Sequence, residues 1–311
     1  LPTKYNLTRV NEDRRVKVGV LYSKYTESML PEGNTWLKDN IDSWEKLLRS
    51  MEMRYEIISD YKIEAEDLSE YGLIILPGSK SLSDRQIVKL KKYQENGGSL
   101  LATCGTSTFS DDGKWRGWQF LLEVFGLSFT REIGENEEYR ILTLRGSLPV
   151  TANIPAGFKL KVAPWDRPVF TKVMEPRTTA VSTWFDIKKD SGLVMEEIRK
   201  SIGSAYGTYG KGRFFWLGFD MNSVIGHQNE FIYFDRLLRN ALNWLTYHPV
   251  VQIEEWPSGK VAAAIITPVI EGLPHNIKNI GPALKASGVS YNAFADYNNP
   301  KAVAILKEIS G

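Results

Sequence analysis

The stretch Tyr71–Gly105, YGLIILPGSKSLSDRQIVKLKKYQENGGSLLATCG, sets out a strand, a helix, a second strand and the chain's single cysteine without a break. Leu73–Leu76 is a short apolar run of the kind that fills a buried parallel strand, and Pro77-Gly78 ends it. Ser83 is a good helix N-cap with Gln86 three residues on as its capping-box partner. Ile87, Leu90 and Tyr93 supply an apolar face, and Gly97-Gly98 stops the helix. Leu100–Thr103 is the next strand. Cys104 therefore stands where a strand of an open α/β sheet ends, the place where such sheets put ligands and nucleophiles.

Working outward, Val16–Tyr22 predicts the first strand and Ser23–Asn34 a loop above it. Leu37, Ile41, Trp44, Leu47 and Leu48 fall at helical spacing, and Tyr55–Ile58 is the second strand. The resulting β-α-β-β-α-β order argues an α/β fold with a doubly wound, mainly parallel sheet, because right-handed crossovers cover both faces. Beyond Cys104 the pattern changes: Thr106–Gly117 is polar and Gly-punctuated where a nucleophile elbow would begin a helix at once. A short helix is expected at Trp118–Phe125, then a β-rich insertion from Tyr139 to Trp184. A hairpin over Gly203–Tyr209 and Arg213–Gly218 returns the chain to the core, and a strongly amphipathic helix from Phe231 to Leu245 closes the domain. The expected organisation is an arm (1–14), a main domain (15–247), a linker (248–259) and a partial βαβα unit (260–311). That last unit carries strands at Val261–Thr267 and Tyr291–Ala295 and helices at Pro274–Ser287 and Pro300–Ile309.

The 311 residues carry a formal charge of only +2, and no long basic run suggests a nucleic-acid groove or a membrane-binding face. No stretch approaches the length of apolar sequence that spans a bilayer. Glycans or small neutral ligands suit this balance, and nine Trp and fourteen Tyr offer rings that stack on sugar faces. One cysteine rules out an internal disulfide and a Cys-based zinc site. Leu1 in place of a starting Met is what a processed or trimmed chain would show.

Cys104 is the sharpest chemical candidate: a thiolate nucleophile with His227 as base and Glu230 as its carboxylate, and amides near Gly78 and Ser79 as oxyanion donors. The alternative is a small buried apolar Cys with His227 at a helix cap. Glu271 and His275, four residues apart, form a second pair that would suit a metal, or else a solvent-facing Glu and a loop His. Asp111-Asp112 is either an acid/base pair or an ordinary Asp-Asp-Gly turn, with the turn preferred. Trp115, Trp118, Trp165 and Trp184 are candidates to line a glycan groove, with Trp115 and Trp118 the binding residues we name first.

Two stretches carry family resemblances. LIILPGSKSLSD (Leu73–Asp84), ENGGSLLATCG (Glu95–Gly105), GKGRFFWLGFD (Gly210–Asp220) and FDRLLRNALNWL (Phe234–Leu245) together resemble the class I glutamine-amidotransferase-like fold. The likeness is nearest to its relatives in the trimerisation domain of certain β-galactosidases and in the ThuA-like group. It implies a flavodoxin-like sheet and, through the β-galactosidase relatives, a homo-oligomer. In the amidotransferases a His-x-Glu follows the last strand closely. Here His227 comes nine residues after Gly218 and its spacing to Glu230 is one too long, so a lost triad is expected.

WPSGKVAAAIITPVIEG (Trp256–Gly272) and GVSYNAFADYNN (Gly288–Asn299) resemble the opening of NodB-type polysaccharide deacetylases, which implies zinc-dependent N-deacetylation of a glycan. The sequence departs where the family's base aspartate would stand, since Val269 and Ile270 follow Thr267-Pro268 and only Glu271 is left as a ligand. The preferred expectation is thus a non-catalytic, cofactor-free amidotransferase-like accessory module with a degenerate deacetylase-like continuation, in an extracytoplasmic polysaccharide-handling protein. A metal-dependent deacetylase and a Cys104-dependent hydrolase or amidotransferase are the alternatives.

Overall fold

The computed structural model describes residues 16–134, 140–185, 199–248, 269–270, 286, 294–295 and 298–309. The chain divides into two compact units, Leu1–Val251 and Gln252–Gly311. The first is an α/β unit around a mixed sheet of twelve strands.

Its parallel half contains β1 (Lys17–Tyr22), β2 (Tyr55–Ser59), β3 (Tyr71–Leu76), β4 (Ser99–Thr103) and β11 (Gly212–Leu217), in the spatial order β2-β1-β3-β4-β11. Registers such as Val20 opposite Ile57 and Ile75, and Leu101 opposite Phe215, fix this pairing. The strands are apolar on both sides because both faces are covered. Val18, Val20, Leu73, Ile75, Leu101, Phe215 and Leu217 point to one face. There they meet α2 (Trp36–Ser50) and α6 (Gln228–Leu245) through Leu37, Ile41, Trp44, Leu238 and Leu242. The alternate residues Ile74, Leu76, Leu100, Ala102, Phe214 and Trp216 meet α3 (Asp60–Ala65), α4 (Asp84–Glu95) and α5 (Gln119–Phe125) on the other. This period of two along each strand is what lets a continuous apolar run serve two cores at once.

The α4 helix starts as its sequence predicts, with Ser83 Oγ accepting from Gln86 N at 3.2 Å and Gln86 Oε1 accepting from Ser83 N at 2.8 Å. Two expectations are corrected. A short helix, α3, joins β2 to β3, so no two strands of the parallel half follow one another directly. Its six residues contribute one fully buried apolar side chain, Ile63, which is too little periodicity to show in sequence. The loop over β1 also contains a single helical turn, α1 (Lys24–Glu27), capped by Ser23 Oγ at 3.1 Å from Thr26 N.

The other half of the sheet is antiparallel and realises the expected β-rich insertion. It comprises β5 (Leu127–Glu132), β6 (Arg140–Leu144), β7 (Lys159–Val162), β8 (Val169–Val173), β9 (Thr178–Phe185), β10 (Ile202–Tyr209) and β12 (Val224–Ile225). β10 and β11 form the expected hairpin, Ser204 opposite Leu217, and β11 then joins β4 in parallel. In the second unit β13 (Val269–Ile270) pairs in parallel with β14 (Phe294–Ala295), and α7 (Pro300–Ile309) follows. The strand expected at Val261–Thr267 lies outside the described residues, as does all but residue 286 of the helix expected at Pro274–Ser287.

Candidate functional site

The carboxyl ends of β3, β4 and β11 converge with the loop 163–168 to make the site. Cys104 follows β4 directly and has φ +48, a left-handed conformation unusual for a side chain with a Cβ. The bend is held from both sides by β11: Cys104 N donates to Leu217 O at 2.7 Å and Trp216 Nε1 donates to Cys104 O at 3.1 Å. The turn of a nucleophile elbow is therefore present without its helix, for residues 104–107 form a turn and α5 begins only at Gln119.

The thiol itself is shut away. Cys104 is 3 % exposed, and its Sγ lies 3.4 Å from Asp166 O and 3.5 Å from Arg167 O. Both neighbours are acceptors, which suit a thiol proton and repel a thiolate. Burial pushes the Cys104 pKa well up, and the carboxylates of Asp220 and Asp166 add to it. The Lys80 charge and the Gly105 amide act in the opposite direction and are outweighed.

Behind the thiol runs a buried polar chain. Gly78 N donates to Thr103 Oγ1 at 2.8 Å, and Thr103 Oγ1 donates to Asp220 Oδ1 at 2.5 Å. Asp220 is fully buried, and its Oδ2 has no hydrogen-bond partner among the described residues. Burial first, and the nearby Asp166 carboxylate second, push its pKa up to about 6. Asp166 is better provided for: Trp36 Nε1 donates to its Oδ1 at 2.6 Å and Ser223 Oγ to its Oδ2 at 2.5 Å.

These bonds correct the expected oxyanion role of Gly78. Its amide is already committed to Thr103. Its φ is +53, and a Cβ at this position would stand 2.6 Å from the Trp36 ring, so packing and backbone conformation explain the glycine instead. Ser79 is buried and ties the loop down, its carbonyl accepting from Ser107 N at 2.9 Å. His227 is exposed at the N-cap of α6, where its backbone N donates to Glu230 Oε2 at 3.0 Å. The hydrogen bonds described for Cys104 Sγ involve neither residue. Asp111-Asp112 forms a turn, with Asp112 paired to Lys114 at 2.6 Å. Glu271 and His275 lie outside the described residues; among those described, no cluster of three or more His, Cys, Asp or Glu is placed to hold a metal.

The four tryptophans part company. Trp184 is core, stacked on Phe170 at 5.3 Å, which removes it from any groove. Trp118 stacks on Phe129 at 4.4 Å and Trp115 leans edge-on against it at 6.2 Å, forming an aromatic ridge with Phe109. Trp165 instead opens onto a cleft of about 480 Å³ lined by Asn34, Trp36, Asp39, Asp166 and Asn222 among others. Sequence reasoning passed over Trp36, Asp166 and Asp220. Asp220 had a readable signal, since an acidic residue ending the apolar run FFWLGF is costly unless it belongs to a sheet-edge site.

No protein-family model and no curated protein matches the chain. Solved structures do. A β-galactosidase from Rahnella sp. R3 matches with TM-score 0.55 and 14% identity, covering 75% of this chain and 32% of that one. A β-galactosidase from Bacillus circulans sp. alkalophilus matches with TM-score 0.55 and 13% identity, over 76% and 32% of the two chains. A putative ThuA-like protein from Bacteroides uniformis ATCC 8492 matches with TM-score 0.52 and 17% identity, over 74% of this chain and 91% of that one. The chain thus spans about a third of the β-galactosidases and nearly all of the ThuA-like protein. At these identities the likeness is one of fold: an α/β architecture shared with part of β-galactosidase chains and with a ThuA-like protein.

Proposed function

We propose that the first unit is an amidotransferase-like accessory module without hydrolytic activity of its own, serving a protein that handles polysaccharide outside the cytoplasm. One observation carries this: the strained elbow is kept, but Cys104 Sγ faces two carbonyls in a buried, acid-flanked niche, and its described hydrogen bonds include no imidazole. A nucleophilic thiolate needs a base within hydrogen-bond reach and an electropositive setting. Here the dominant surroundings are a low-dielectric wall and two carboxylates. The fold shared with β-galactosidase chains supports the carbohydrate context.

The deacetylase-like continuation belongs to the same proposal. Val269 and Ile270, which occupy the place of the family's base aspartate, sit in a strand paired with Phe294 and Ala295. The zinc such an enzyme uses needs three protein ligands and an open position; in this stretch apolar Val269 and Ile270 replace the family's aspartate, and Glu271 and His275 are the candidate ligands. We assign no step to the metal. Assembly into a homo-oligomer, the other role the β-galactosidase resemblance suggests, is checked by light scattering across a concentration series.

The test is enzymatic. The intact chain is incubated with glutamine and, separately, with zinc and acetylated oligosaccharides, and ammonia and acetate are measured. Release at background, unchanged by Cys104→Ala or Glu271→Ala, is expected. Ammonia release abolished by Cys104→Ala, or acetate release abolished by Glu271→Ala, would overturn the proposal.

A further inference from the structure

The cleft beside the elbow is built for something other than chemistry. From its lining we infer that it is a saccharide subsite, and that it holds a protonated amino sugar in preference to a neutral or acidic one. This deepens the accessory reading and rests on it for the carbohydrate context.

The walls come from the start of α2 and from the loop 163–168, and they are rigid where it matters. Trp36 is anchored through its indole N–H to the buried Asp166, and its ring packs over Gly78. Asp166 is in turn fixed by Ser223. Asn34 Oδ1 accepts from Trp36 N at 2.8 Å, and Thr35 Oγ1 donates to Asp39 Oδ2 at 2.8 Å. Against this fixed frame Trp165 leaves 59 % of its surface exposed, a large apolar ring on the rim of a polar cleft. An indole presented this way suits the C–H face of a pyranose, whose hydroxyls then reach the surrounding carboxylates and amides.

Charge selects among sugars. The lining holds two carboxylates, Asp39 and Asp166, and no Lys, Arg or His. Lys80, stacked on the Trp36 ring at 4.6 Å, does not belong to the lining. Amides at the start of α2 favour negative charge, but two carboxylates outweigh a helix end worth about half an elementary charge. An acidic sugar is thus repelled and an ammonium is attracted. The aromatic ridge of Trp115 and Trp118 has no comparable polar frame in its ring contacts and serves as an internal control.

The experiment titrates the intact chain with glucosamine, N-acetylglucosamine and galacturonate tetramers, followed by tryptophan fluorescence and by calorimetry at neutral pH. The expected order is amino sugar over neutral over acidic. Trp165→Ala should weaken the amino-sugar tetramer about tenfold, the scale of one lost aromatic stack, while Trp165→Phe retains most of the affinity. Asp39→Asn should erase the preference for the amine without abolishing binding, and Trp115→Ala should change nothing. Trp165 and Asp39 are exposed, so these variants fold, and matching melting curves verify it. Absence of binding to all three tetramers, binding indifferent to Trp165→Ala, or tightest binding of the galacturonate would overturn the inference. None of these outcomes touches the accessory reading, which fails only if the ammonia or acetate assay shows turnover.

Discussion

Cys104 and Trp165 stand on the same edge of the same sheet and are tied to the same residue, yet one is 3 % exposed and the other 59 %. The thiol is turned toward the Asp166 backbone carbonyl, and the Asp166 side chain anchors the Trp36 wall of the cleft that Trp165 borders. One loop therefore closes the reactive position and opens a binding position. The difference teaches that one loop at an α/β sheet edge can bury a strained position, here a left-handed Cys104 near a fully buried Asp220, while leaving an aromatic ring beside it open to solvent.

If that closed side is held by packing, the largest effect belongs to Gly78→Ala. The new methyl meets the Trp36 ring at 2.6 Å in a backbone with φ +53, and the shift it forces disturbs the amide bond to Thr103. A loss of about 4 kcal/mol in urea unfolding is expected. An unchanged midpoint would mean that the two sides are not mechanically joined through Trp36.

A somewhat smaller effect tests the buried charge. In the folded protein Asp220 gives up its proton only at about 6, against 3.8 for the free side chain. Between those values the folded state binds more protons than the unfolded one, so the contribution of Asp220 to stability falls as pH rises through this window and is flat above it. Asp220→Asn cannot ionise. Its stability relative to the native chain should climb by about 2 kcal/mol from pH 4 to pH 7. A difference independent of pH would place Asp220 in a wetter setting than the structure describes.

Much of the scaffold was legible in sequence, and the reasons are local. The capping box of Ser83 and Gln86 and the period of α2 depend on neighbours within a turn or two, so spacing alone reports them. Helix α3 was missed because six residues with one buried apolar side chain have no period to detect. The site was legible at Cys104 and Trp165, and Asp220 left a readable signal, but the pairings that build it were not. The distance from Thr103 to Asp220 is 117 positions along the chain and 2.5 Å in space, and Trp36 to Asp166 is 130 positions and 2.6 Å. Such pairings are made by the β4–β11 contact and by the antiparallel insertion, which no local pattern encodes. His227 misled for the opposite reason: its spacing to Glu230 is that of a helix cap, and a cap is what the pair forms.

The smallest predicted effect follows from that cap. His227→Ala should change stability by less than about 0.5 kcal/mol, as exposed substitutions usually do, and should leave the chemistry of Cys104 untouched. A change in thiol reactivity in this variant would reconnect the two residues.

The most direct test of the closed thiol is the rate of Cys104 alkylation by iodoacetamide in the folded chain between pH 6 and pH 10. The structure predicts a rate far below that of a free cysteine, with no thiolate titration at or below the ordinary cysteine range, and rapid reaction once denaturant is added. Fast alkylation of the folded protein with an apparent pKa below that range would show an activated nucleophile and contradict it.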